Sequence, residues 1–268
     1  MQTRVTFALS IFLLLMVFGA SSVTAQTDAK SKKIIDKMIS VTGNYAKLRA
    51  KKDVQFDYIY DNFDAGRDVS KERLIFDGEQ SWASYTEHQR NVLPEQEGIA
   101  EQSLINGKPQ VTLNGKFITD AKALGSTKFI REVNPYWFSM VYKLEDKGTN
   151  YKYLGSEKVD GIDYDKVALT YDGAITKKEA DDEYILYFNK KTHLLDLFYF
   201  SLPAFGVTQP ILKMTLSYEV IDGIYIPTLR KSYGPNEKGE YNLSGQYTFK
   251  NVQFNNGFRT EDFVLKGM

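Results

Sequence analysis

Cysteine is absent from the 268 residues. That excludes disulfides, thiolate metal sites and cysteine nucleophiles. It also leaves no residue for a bacterial lipoprotein's lipid, so a lipid-anchored form is not expected. Histidine is nearly as scarce. His88 and His193 lie far apart and share no HExxH-type spacing. His193 reads as a solvated turn residue, and His88 as the solvated end of a strand. Net charge is missing too: 34 basic residues cancel 34 acidic ones. No bulk field therefore draws nucleic acid or an anionic membrane surface, and no nucleic-acid partner is expected.

Catalytic patterns are equally thin. There is no Gly-rich phosphate loop, and neither Ser139 nor Ser201 sits in a G-x-S-x-G elbow. Asp160, Asp163 and Asp165 form one acidic cluster and Asp181-Asp182-Glu183 another. Neither has the calcium-loop pattern, so they read as turn residues and a solvated edge. Asp57 and Asp61 are the carboxylate pair that a hydrolase would need, but nothing in the sequence brings a general acid to them. The chain reads as a non-enzyme without cofactor or metal.

The N-terminus carries an export pattern: Arg4, an apolar run from Val5 to Phe18, small residues, then Val23-Thr24-Ala25. The run falls short of the roughly 20 apolar residues of a membrane span. Residues 1–25 are expected to be a signal peptide cleaved before Gln26. Residues 26–268 are expected to be one domain, periplasmic or secreted.

Periodicity gives the elements. Ile34, Ile35, Met38, Ile39 and Thr42 share one helical face, with Gly43 as C-cap. From Asp53 the period changes to two: Val54, Phe56, Tyr58 and Tyr60 alternate with polar or exposed neighbours. Further strands are expected around Leu74–Phe76 and Trp82–Thr86. Residues 91–125 read as loops with at most one short hairpin at Asn106-Gly107 or Asn114-Gly115. From Ser126 to Leu144, Phe129, Ile130, Val133, Trp137, Phe138, Val141 and Leu144 form a helical apolar set, which Pro135 should split into two short helices. Past Asn150 the strands expected are Tyr151–Leu154, Tyr164–Tyr171, Glu183–Phe188, Leu194–Leu202, Leu212–Val220, Tyr225–Ser232 and Leu243–Phe254. Their short connections favour antiparallel neighbours. Leu212, Met214, Leu216, Tyr218 and Val220 define one covered face. Leu194–Leu202 is apolar on both faces, so both need shelter.

Aromatics are abundant: 18 Tyr, 17 Phe and two Trp. Singly they suit sheet packing. Together they suit an apolar pocket for a greasy ligand.

Three stretches carry a resemblance. Phe76-Asp77-Gly78-Glu79-Gln80-Ser81-Trp82-Ala83-Ser84-Tyr85 looks like a strand–Asp-Gly–strand hairpin with a tryptophan and a tyrosine after the turn. Tyr153 to Tyr164 holds Leu154-Gly155 and then Val159-Asp160-Gly161 before a strand. Tyr218 to Pro227 looks like a late hairpin. With the order of elements, these resemble the LolA/LolB-like superfamily of envelope lipoprotein carriers and receptors. The family's lid-locking arginine has no unique counterpart here, since both Arg67 and Arg73 fall in its region. The resemblance implies a mainly β fold with α: a curved, unclosed antiparallel β-barrel of about 10–11 strands, with an N-terminal helix and short helices capping the concave face. It implies a periplasmic carrier of a lipid or acylated protein, monomeric, with an envelope membrane partner. Tyr136, Trp137, Phe138 and Met140 would form the lid of its cavity. Phe198, Phe200, Leu202 and Phe205 would form the wall. The alternative is an interaction protein of the envelope with a filled core.

Overall fold

The structure is a computed structural model and describes residues 28–176 and 182–267. The expected signal peptide lies outside the described residues, as does Asp181. Two helices open the described chain. In α1 (Ala29–Thr42) the Asp28 carboxylate accepts from the backbone N–H groups of Lys30 and Ser31, and Gly43 at φ +88° closes the other end. A short α2 (Tyr45–Arg49) follows, capped by Asn44.

Thirteen strands form one sheet, every neighbouring pair of which is antiparallel: β1 (Asp53–Asn62), β2 (Gly66–Ile75), β3 (Gln80–His88), β4 (Ala100–Ile105), β5 (Lys108–Leu113), β6 (Lys116–Phe117), β7 (Thr149–Val159), β8 (Ile162–Tyr171), β9 (Tyr184–Asn189), β10 (Leu195–Leu202), β11 (Val207–Ile221), β12 (Ile224–Pro235) and β13 (Tyr241–Phe254). The spatial order runs β6 through β1, then β13 back through β7. Two meanders therefore join where the first strand pairs with the last. β6 and β7 remain edges, so the barrel is unclosed, as expected.

The strand count exceeds the expected 10–11 because residues 91–125 hold two hairpins rather than loops. Asn106-Gly107 and Asn114-Gly115 both take positive φ at both positions (50° and 73°; 49° and 73°). That is the type I′ geometry whose twist matches paired strands.

A second correction concerns Pro135. The chain forms one helix, α3 (Ala121–Ser139), with Pro135 inside it and a 3-10 turn, Met140–Tyr142, after it. Proline cannot donate to the carbonyl four residues back, which belongs to Arg131. Here that carbonyl accepts from the Ser81 hydroxyl on β3 at 2.7 Å. The sheet supplies the bond that the helix lacks.

The concave face holds one continuous core. α1 packs on its β7 side, and α3 crosses from β3–β5 toward β12. β10 is sheltered on both faces, as its sequence demands. Phe198 and Phe200 point into the core, while Leu197 and Tyr199 pack outside with Tyr164 and Tyr187. Leu195 departs from the expected alternation and joins the inner core, because an irregularity between Leu195 and Leu197 resets the pleat. In β11, Met214 and Leu216 are buried as expected, but Val220 is exposed beyond a bulge between Ser217 and Glu219. Among the described residues, no helix is long and apolar enough to cross a membrane.

Candidate functional site

The site is built from α3 and the sheet beneath it. Two kinds of surface meet there.

Under the middle of α3, residues 127–134, the contacts are polar and sealed. Arg131 and Glu72 are both 0% exposed and form a bidentate pair, Nη1 to Oε2 at 2.5 Å and Nη2 to Oε1 at 2.9 Å. Arg131 also donates to the Tyr85 hydroxyl. Glu72 accepts from Ser70 and Asn134. The Glu72 and Tyr85 oxygens hold the guanidinium in its charged form, pushing its pKa above the usual arginine value against the opposing pull of burial. Gln102 donates to Thr127 on the same face.

Under its last turn, from Tyr136, the contacts are aromatic. Trp137 stacks on Phe198 (centroids 6.4 Å, planes 16° apart) and meets Phe200 edge-on at 6.5 Å. Phe138 stacks on Phe56 at 4.7 Å and touches Phe249 and Phe254. Tyr136 lies against Trp137 at 5.9 Å. Burial pushes the Tyr136 hydroxyl far above its ordinary range, with Tyr171 and Tyr184 close by.

Arg230, on β12, stands at this aromatic end and is 1% exposed. Its guanidinium carbon lies 5.0 Å from the Trp137 ring, 4.8 Å from Phe249, 5.6 Å from Tyr247 and 5.7 Å from Tyr58. It donates to the Tyr58 hydroxyl at 2.9 Å, while its Nε has no partner.

The structure thus brings Tyr136, Trp137, Phe198 and Phe200 together. Met140 is buried just beyond α3, and Leu202 packs on the core's margin. Phe205 is not brought to them. It is 72% exposed in the 3-10 turn Pro203–Phe205, because β10 ends at Leu202 and the chain turns outward at Gly206. A hollow of about 190 Å³ lies beside α3, lined by Tyr45, Phe76, Glu79, Arg131, Tyr136 and Lys143 among others.

Several other expectations shift. Phe129 is 51% exposed, whereas Ile130 and Phe138 are buried as expected, and Thr127, Arg131, Asn134 and Ser139 are buried with them. His88 is buried, not solvated: its Nδ1 faces the Val92 and Leu93 carbonyls and its Nε2 the Gly98 carbonyl. The loop after β3 folds back over the ring, which strand alternation alone does not reveal. His193 is a half-buried turn residue at φ +61°. Burial alone would raise the Asp57 carboxyl, but hydrogen bonds from Asn251 and Lys71 outweigh it and hold the group below its usual value. Lys71 pairs with it at 3.2 Å. Asp163 and Asp165 face Lys158 and Lys190. Among the described residues, no group of three or more His, Asp or Glu is placed to hold a metal.

Sequence reasoning missed Arg131, Glu72 and Arg230, though a signal was present. Ile224, Ile226, Thr228 and Arg230 share the inward phase of β12, as Ser70, Glu72 and Leu74 share that of β2. A charge in an inward phase marks a special site.

An open antiparallel sheet curled around one apolar core and bridged by a single long helix defines a curved, unclosed β-barrel protein. The chain belongs to the family of unknown function DUF6503, which matches residues 9–208. No curated protein matches it. It is similar to the crystal structure of a DUF1329 family protein from Desulfovibrio piger: 16% identity, TM-score 0.52, 87% of this chain and 97% of that one. It is also similar to a LolA superfamily protein from Nitrosomonas europaea: 13% identity, TM-score 0.49, again 87% and 97%. The likeness to the Desulfovibrio piger structure is one of fold.

Proposed function

We propose that the protein binds and carries a lipophilic ligand, a lipid or an acylated protein, between α3 and the concave face of the sheet. It does so in the periplasm, after export and cleavage before Gln26. The observation that carries this reading is the seating of Trp137, from a helix spanning the concave face, on Phe198 and Phe200 of β10. An acyl chain can replace the indole on those rings, with each buried CH₂ contributing about 0.8 kcal/mol. The hollow of about 190 Å³ is smaller than the roughly 300–1,000 Å³ of ordinary ligand pockets. Seating an acyl chain on those rings therefore requires the last turn of α3, from Tyr136, to lift.

The chain has two tryptophans, so a Trp82→Phe protein reports on Trp137 alone. A brominated fatty acid is expected to quench that fluorescence, and Phe200→Asp is expected to abolish the quenching. Organic extracts of protein purified from native envelope should contain lipid by mass spectrometry. No quenching together with no extracted lipid would sink the reading. That result would favour the second one, an envelope interaction protein with a filled core, whose support is Phe138: fully buried and stacked on Phe56.

A further inference from the structure

We infer that Arg230 is an anchor for an oxyanion, so that the ligand is an acidic amphiphile with its carboxylate or phosphate on Arg230 and its chain along Phe198 and Phe200. This rests on the proposed binding of a lipophilic ligand and adds the chemistry of the head group.

The argument starts from the cost of burial. A guanidinium removed from water is strongly destabilising unless it is paired and its donors are satisfied. Arg131 meets the first through Glu72, and its two terminal nitrogens donate to Glu72 and Tyr85, although its Nε also has no partner. Arg230 is as deeply buried and meets neither. No carboxylate lies within ion-pair distance of it among the described residues, and its one hydrogen bond goes to a neutral phenol, Tyr58. The rings of Tyr58, Trp137, Tyr247 and Phe249 stabilise the charge through their π faces. Rings of this kind do not accept its in-plane N–H protons, and the Nε–H is left with no acceptor at all.

What remains is a fixed, desolvated, planar cation with free donors. Guanidinium recognises carboxylate and phosphate through paired, charge-assisted hydrogen bonds. The neighbourhood says what is attached to that oxyanion. Trp137 stands 5.0 Å from the guanidinium and stacks directly on Phe198. A ligand that lifts Trp137 uncovers the charge and the apolar wall together.

The test uses cis-parinaric acid and its methyl ester, followed by their own fluorescence on binding to the wild-type protein and to Arg230→Met. The wild type is expected to bind the acid at least about tenfold more tightly than the ester. Arg230→Met is expected to bind both with the ester's affinity. Competition identifies the head: displacement by oleate points to a carboxylate, and stronger displacement by lysophosphatidic acid to a phosphate monoester. Inorganic phosphate, which lacks the chain, should displace nothing. Equal binding of acid and ester by the wild type overturns the anchor but leaves the lipophilic site standing. Binding of neither probe overturns the site itself. If Arg230→Met does not fold, Arg230→Lys keeps the charge without the planar fork. A fall in its acid-to-ester preference supports the anchor, and an unchanged preference overturns the planar pairing.

Discussion

Two stretches of α3 rest on the same sheet in opposite ways. The middle, residues 127–134, is bolted down through Arg131 and Glu72, a cation and an anion that are both fully buried and share partners in Tyr85, Asn134 and Ser70. The last turn, from Tyr136, is laid on aromatic rings, and the buried cation beside it, Arg230 of β12, has no anion among the described residues. A specific ion pair fixes position, because any displacement strands two charges in a dry interior. Ring stacking tolerates sliding and exchange, because another apolar group can take the same contacts. The difference assigns a fixed end and a releasable end to one helix.

The sharpest way to break this comparison is to remove one member of the fixed pair. Arg131→Met leaves the Glu72 carboxylate buried and alone, and should destabilise the fold by about 3–5 kcal/mol. Urea denaturation followed by circular dichroism measures it. Glu72→Met combined with Arg131→Met should recover much of the loss, since replacing both charges strands neither. An additive double variant would show that the pair is not a unit. Arg230→Met is the counterpart at the releasable end, and its effect should be much smaller. Removing an unpaired buried charge offsets the roughly 1–3 kcal/mol cost of leaving the Tyr58 hydroxyl unsatisfied. Its midpoint should therefore lie within about 1 kcal/mol of the wild type's. A loss as large as that of Arg131→Met would mean that the rings, not an absent ligand, are what Arg230 is for.

Both ends were partly legible in the chain. Strict alternation in β1, and in β11 up to Ser217, gave the covered face, and the Asn-Gly pairs marked the turns of β4–β6. The two-sided apolarity of Leu194–Leu202 announced that β10 is sheltered on both faces. The reading lost its way where a tertiary contact replaces a local one. Pro135 carries a true breaking signal, but Ser81, 50 positions away on β3, satisfies the orphaned Arg131 carbonyl. Leu195 and Val220 lie beyond irregularities in their strands, and a bulge shifts alternation without leaving a residue type that declares it. Phe129 has the right spacing for the α3 core, yet it is exposed, while Ile130 and Phe138 of the same set are buried and Arg131 and Asn134 share their face. Glu72 stands out in the inward phase of β2, but only the fold brings Arg131 of α3 to it as its pair.

The contact between Ser81 and α3 offers a third, smaller test at the fixed end. Ser81→Ala should leave the Arg131 carbonyl with no donor, costing about 1–3 kcal/mol for a buried polar group left unsatisfied. Pro135→Ala in that background restores an N–H to the same carbonyl and should return most of the loss. If Pro135→Ala gives the same gain with Ser81 present as without it, the hydroxyl is not standing in for the helix bond.

The smallest expected effect sharpens the other side of the comparison, where α1 covers the β7 end of the aromatic core. Beside the burial of Ile34, Ile35 and Met38, its attachment to β7 runs partly through one carboxylate. Asp28 caps α1 and also accepts from the Tyr153 backbone N–H on β7 at 2.6 Å. Hydrogen bonds from the Ser31 backbone, Tyr153 and the Ser31 hydroxyl lower its pKa from 3.8 to about 2, against a small opposing effect of burial. A carboxyl whose folded pKa is depressed contributes stability that is fully present above its unfolded value. That stability is lost as pH falls through the folded one. The attachment should therefore hold at neutral pH and weaken as pH drops from about 4 to about 2. Pulse-labelling hydrogen exchange across that window should show the amides of α1 losing protection, relative to neutral pH, before those of Thr127–Asn134. In Asp28→Asn, which keeps the cap but loses the charge, the acid-dependent part should vanish. Simultaneous loss of protection in both helices would mean that their cover is one cooperative unit, and α1 would not be the weaker attachment.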